Sequence, residues 1–172
     1  MATNIEIKAR VDDFEALRTR ADSLSDRPLQ ILPQEDTFFN TPKGRLKLRV
    51  QAPNQGYLIY YQRPDREGPK RSDYHLAESH DPDSLKQTLS LAYGIRGVVK
   101  KTRYLYMVGQ TRIHLDEVEG LGHFMELEVV MREDQSDAEG QAIAEDLMGR
   151  LGIREDALIE GAYMDLLETD IR

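Results

Sequence analysis

At 172 residues and 40% hydrophobic, the chain can bury one good core and is short for two, so a single domain spanning 1–172 is expected. It has no cysteine, which excludes a disulfide framework, a thiolate zinc site and a cysteine nucleophile. A net charge of −8 argues against general nucleic-acid binding; with no apolar run near the roughly 18–20 residues that span a bilayer and no signal-peptide layout, a soluble, cytoplasmic protein without a membrane partner is expected.

Residues 3–11 alternate as a strand does, with Ile5, Ile7 and Ala9 on one face and Glu6, Lys8 and Arg10 on the other. "VDDFEALRTRADSL" reads as a helix with Asp12 as N-cap, Glu15 three residues on, and apolar positions at Phe14, Leu17 and Ala21. Residues 31–40 read as extended, "TPKG" as a turn, and "RLKLRV" alternates strictly, which makes a hairpin. "NQG" turns the chain into "YLIYYQR", a loop through "PDREGP" follows, and the next strand is expected at 71–79. "DPDSLKQTLSLAYG" carries Asp81 as N-cap, Pro82 at the first helical position and Gly94 at its end. Three more strands are expected at about 95–108, 111–118 and 122–131, with turns at Gly109-Gln110 and Gly120-Leu121-Gly122. Ser136 and Glu139 form a capping box that opens a helix to about 150, and a last helix is expected from Glu155 to Glu168. The strands fall in two runs joined by a helix, with short turns. That pattern predicts an α+β fold whose roughly eight strands make an antiparallel sheet or barrel, with about four helices.

Alternation also sorts the charges. Arg45, Lys47 and Arg49 share a face opposite Leu46, Leu48 and Val50; Lys101 and Arg103 share another; Arg112, His114 and Asp116 a third; Glu126 and Glu128 a fourth, against Leu127 and Val129. Solvated outer faces of half-buried strands would also alternate. They have no need, however, of three bases on one strand and two acids on another, since like charges two residues apart repel. If the charged faces point inward, nine bases (Lys8, Arg10, Arg45, Lys47, Arg49, Arg63, Lys101, Arg103, Arg112) meet four acids (Glu6, Asp116, Glu126, Glu128), a set at +5 inside a remainder at −13. Such an interior calls for a highly negative ligand, and a triphosphate with metal ions meets the need. Carboxylates suit Mg²⁺ or Mn²⁺ as the cofactor.

"IEIKAR", "QEDTFFNTPKGRLKLR", "VVKKTR" and "HLDEVEGLGHFMELEV", in this order, with the closing "GAYMDLL", resemble the CYTH family of triphosphate tunnel metalloenzymes. The resemblance covers nearly the whole chain. It implies an eight-stranded antiparallel β-barrel, the triphosphate tunnel, flanked by helices, and an activity among class IV adenylyl cyclases, thiamine triphosphatases and inorganic triphosphatases. It also implies Glu6, Glu126 and Glu128 as metal ligands with Asp116 as a fourth, and Lys8, Arg45, Lys47, Arg49, Arg63, Lys101 and Arg103 as phosphate-binding bases. Lys8, Arg49 and Lys101 are the candidates to act on the reacting phosphate. Arg10 and Arg112 join the phosphate set from alternation alone. The family's Glu-x-Glu-x-Lys hallmark reads Asn4, Glu6, Lys8 here. An amide offers a metal a neutral oxygen but no charge, so one metal site is expected to be weakened unless Glu35 or Asp36 compensates.

Three functions remain open on sequence. Hydrolysis of a triphosphate needs only the tunnel, a metal and a water, and is the first expectation; cyclisation of ATP needs a base pocket as well; a tunnel that binds polyphosphate or a nucleotide without turnover fits Asn4. Tyr57, Tyr61, Phe38 and Phe39 are candidates for a base pocket or for core packing. His114 reads as a general base, a phosphate contact or a hydrogen-bonded wall residue. The C-terminal helices are expected to pack on the barrel or close one mouth, with Ala144, Leu147, Met148 and Leu151 as core contacts.

Overall fold

The computed structural model describes residues 1–64 and 68–170; part of the expected "PDREGP" loop, 65–67, lies outside these. Eight strands, β1 (Ala2–Arg10), β2 (Gln30–Phe39), β3 (Arg45–Ala52), β4 (Gln55–Gln62), β5 (Lys70–Ser79), β6 (Ile95–Val108), β7 (Thr111–Val118) and β8 (Gly122–Val130), form a closed barrel in the order β1-β5-β4-β3-β2-β6-β7-β8. Every pairing is antiparallel, including β8 back to β1. Helices α1 (Phe14–Leu24), α2 (Pro82–Tyr93), α3 (Asp137–Leu151) and α4 (Tyr163–Asp170) complete the fold. No helix among the described residues is long and apolar enough to cross a membrane.

The main apolar core lies outside the barrel wall. Ile5, Ile7 and Ala9 of β1, Ile113 and Leu115 of β7, and Leu127 and Val129 of β8 are buried beneath Phe14, Leu17 and Ala21 of α1 and Ala144, Leu147, Met148 and Leu151 of α3. Because side chains alternate across a strand, burying these residues outward sends Glu6, Lys8, His114, Glu126 and Glu128 into the lumen. The register sets them side by side: Glu6 opposes Glu128, Lys8 opposes Glu126, and His114 opposes Glu126 from the other flank.

Ser136 and Glu139 close the expected capping box on α3, and Asp81 caps α2. Two expectations need correction. The N-cap of α1 is Asp13, not Asp12: its carboxylate accepts the Ala16 N–H at 3.1 Å, the reach that a residue immediately before the first helical position provides. The last helix does not start at Glu155. Residues Glu155–Ala157 make one 3₁₀ turn, after which Leu158 bridges to Ala9 and the Ile159 N–H donates to the Lys8 carbonyl. The cause is an unpaired stretch of β1. Its pairing with β5 ends at Glu6, so the backbone groups beyond it take their partners from this segment instead.

Gly161, at φ +81°, then turns the chain, and Asp165 accepts the Ala162 N–H at 2.8 Å to open α4. Tyr163 and Met164 sink among Phe38, Val99, Val118 and Phe124. Arg45 and Arg96 both reach Asp165 at 2.8 Å, and Arg96 also holds Glu168. Thus α3 packs on the barrel wall while α4 seals one mouth.

Candidate functional site

The lumen opens into a cavity of about 810 Å³, counted out to its mouth. Seven bases (Lys8, Lys47, Arg49, Arg63, Lys101, Arg103, Arg112) and four acids (Glu6, Asp36, Glu126, Glu128) line it. The surplus is positive in a chain whose net charge is −8, so the charge separation expected from alternation is realised in space.

One wall is organised by Asp36. Its carboxylate is buried and accepts Arg49 Nε and Nη2 at 2.9 and 2.8 Å and Lys101 Nζ at 2.8 Å, with Lys47 Nζ 3.4 Å away. Burial alone would raise its pKa, but Arg49, Lys101 and Lys47 hold it well below the usual carboxylate range. Burial pushes Lys101 down to about 7 against the pull of Asp36. Three cations on one anion leave this wall short of negative charge, as an anion-binding surface requires.

The opposite charge gathers on β8. Glu126 lies 3.4 Å from Lys8 Nζ and 3.7 Å from Arg103 Nη2. Burial opposes its ionisation, yet Lys8 above all, and Arg103, keep it well below the ordinary value. Glu128 accepts Asn4 Nδ2 at 3.3 Å. Glu6 pairs with Arg63 at 3.2 Å; burial, then the neighbouring Glu128, raises its pKa. Lys8, lowered to about 8 chiefly by burial, donates to the Gly161 carbonyl at 3.0 Å, and so does Arg63.

A divalent cation fits this acidic wall. Ligand atoms of His114, Glu126 and Glu128 lie within 4.8 Å of one another. Burial, and secondarily Arg103, lowers the His114 pKa, against the pull of Glu128.

Three predicted site residues are placed elsewhere. Arg10 is exposed at the end of β1, its guanidinium 5.3 Å from the Phe124 ring, because the lumen is already closed at that level by Phe124 and α4. Arg45 points to the sealed mouth and pairs with Asp165. Asp116 is fully buried behind the lining: Arg103 clasps both its oxygens at 2.9 and 2.8 Å, and the Tyr163 hydroxyl donates to it at 2.8 Å. Glu35 faces outward to Lys86, and Asp36 is committed to its three bases, so neither stands in for the acid missing at position 4.

Residues 2–163 match the family described as CYTH domain. The chain belongs to that family. Among relatives, the adenylate cyclase CyaB of Aeromonas hydrophila is 25% identical over 175 aligned residues, covering 97% of this chain and 90% of the relative. Among solved structures, the PH1012 protein of Pyrococcus horikoshii OT3 superposes with a TM-score of 0.81 at 28% identity, covering 95% of this chain and 98% of the other. A Hippeastrum protein, described as a candidate adenylyl cyclase with a dominant triphosphatase activity, superposes at 0.64 with 21% identity, covering 87% and 88% of the two chains.

Within this CYTH tunnel, sequence reasoning missed two features. Alternation alone does not choose between Glu35 and Asp36 as the inward residue; the structure turns Asp36 inward with Phe38, two residues on along the same face. The second is an uncharged wall. Ile59, Tyr74 and Leu76 face the cavity from β4 and β5, and Leu76 remains 43% exposed in it. These three side chains are uncharged, so sorting the strands by charge does not single them out. Of the aromatic candidates, Tyr61 and Phe38 line the cavity, whereas Phe39 and Tyr57 do not.

Proposed function

We propose that this CYTH protein binds a triphosphate in the tunnel together with Mg²⁺ or Mn²⁺ and hydrolyses it. The observation that carries the reading is the pairing of two unlike walls around one cavity: Lys47, Arg49 and Lys101 on a single anion, and Glu126, Glu128 and His114 as a cation site. Arg49, Lys101, Arg103 and Lys8 would neutralise phosphate oxygens and hold the chain in line, which is most of what phosphoryl transfer asks of a protein. A bound divalent ion supplies further charge neutralisation and eases deprotonation of a water. Water adds to the terminal phosphorus, the bridging P–O bond breaks, and the leaving diphosphate is stabilised by the remaining bases.

A second reading, cyclisation of ATP, is favoured by the Ile59–Tyr74–Leu76 wall, which would seat a nucleobase, and by the name of the Aeromonas relative. There the ribose 3′-hydroxyl attacks the innermost phosphorus and pyrophosphate leaves. Incubation with ATP, thiamine triphosphate and tripolyphosphate separately, with either ion, and product identification by ³¹P NMR, separates the cases. Orthophosphate supports hydrolysis, cyclic AMP with pyrophosphate supports the second reading, and binding without product overturns both. Glu126→Gln is expected to reduce turnover at least about hundredfold while the fold is kept; unchanged turnover would remove the acids from the mechanism.

A further inference from the structure

We propose that His114 Nδ1 is the third protein ligand of the metal held by Glu126 and Glu128, and that this nitrogen makes the site select a first-row transition ion such as Mn²⁺ over Mg²⁺. The inference rests on reading the β8 acids as a metal site. Asp116 cannot fill the third position, since both its oxygens are taken by Arg103 and Tyr163. Two residues earlier on the same face of β7, His114 is 4% exposed and its Nδ1 has no hydrogen-bond partner. Buried imidazole nitrogens are normally satisfied, so this one needs an explanation.

The nitrogen sits 3.5 Å from Glu128 Oε1 and 3.7 Å from Glu126 Oε2, too far to be a hydrogen bond to either. Ligands at about 2.1 Å from an octahedral ion stand about 3 Å apart when adjacent and about 4 Å when opposed. The observed spacings, 3.5 and 3.7 Å, lie between these two values, so the donors surround a space that an ion would fill after a small side-chain adjustment. Cross-strand register with Glu126 and the i, i+2 relation of the two acids fix the three donors on rigid backbone. Asn4 orients one of them through its bond to Glu128.

The consequence for selectivity follows from donor type. Mg²⁺ keeps oxygen ligands and waters, whereas imidazole adds affinity for the transition series. Asn4, where the family hallmark has Glu, withdraws a negative charge that would have favoured the harder ion.

The test is pulsed EPR on the Mn²⁺-loaded protein without substrate. Electron-spin-echo modulation from one directly bound ¹⁴N is expected in the wild type. It should persist when the other three histidines, His75, His80 and His123, are replaced by Gln, and vanish in His114→Gln. Calorimetric Mn²⁺ affinity should fall at least about tenfold in His114→Gln, with Mg²⁺ affinity changed less than about threefold. Tight Mn²⁺ binding that is lost in Glu126→Gln but shows no nitrogen modulation would overturn the role of His114 and leave the acidic metal site standing. Absence of any Mn²⁺ or Mg²⁺ binding would overturn both.

Discussion

Asp36 is the residue on which the anion-binding wall depends. Its single charge is surrounded by Arg49, Lys101 and Lys47, and it is 1% exposed. Removing one member of a buried ionic cluster leaves the others uncompensated, typically at about 3–5 kcal/mol. Asp36→Asn is therefore expected to lower stability in urea unfolding by about that much, and tripolyphosphate should restore part of it by replacing the missing anion. A loss below about 1 kcal/mol would show that water, not Asp36, balances these cations. Asp116 plays a similar part for Arg103. Each aspartate holds cationic side chains in place, Asp36 from within the lining and Asp116 from behind it.

Among the elements, α3 is fitted to β1 through a bare backbone. A Cβ on Gly140 would stand 2.5 Å from Met131 Sδ and 2.6 Å from Ile5 Cγ1, so the helix lies where only glycine lets it lie. Overpacking of this kind costs about 1–3 kcal/mol. Gly140→Val should lower the denaturation midpoint accordingly, against any gain in helix propensity. Gly149, on the same helix, meets nothing within 4 Å, and Gly149→Ala should raise stability by up to about 1 kcal/mol. Equal effects at the two positions would contradict the close approach. At the C-terminal end, α4 is placed by tertiary partners: Gly161 turns the chain, and Arg45 and Arg96 hold Asp165.

For the whole molecule, the decisive property is a cation-rich lumen inside an acidic protein. Burial away from water, and secondarily the neighbouring cations, lowers Lys8 to about 8 and Lys101 to about 7, below the roughly 10.4 of an unfolded chain. Between these limits the unfolded chain binds more protons than the folded one. Stability without ligand should therefore rise with pH through that window, and a bound polyanion, which favours the charged amines, should flatten or reverse the trend. NMR titration of the lysine side-chain Cε resonances, assigned with Lys101→Arg, is the direct check. Two amines titrating near 7 and 8 in the free protein and well above 9 with tripolyphosphate are expected; titration of both near 10.4 in the free protein would contradict the confinement.

Much of this was legible in the residues themselves. Strict alternation of "NIEIKAR", "GRLKLR" and "MELEV" determines which side chains share a face, and apolar Ile5, Ile7, Leu127 and Val129 can be buried only by turning the charges the other way. That is a local, period-two property, so it survives without knowledge of the fold, as do the caps at Asp81 and Ser136. What required the tertiary structure was partnership among residues far apart in sequence. Whether Arg45 meets a phosphate or Asp165, whether Asp116 meets a metal or Arg103, and whether His114 stands between two glutamates all depend on cross-barrel distances of a few ångströms. Alternation says that a side chain enters the lumen; only closure of the barrel, and the seating of α4 in one mouth, decides at what depth and beside which charge.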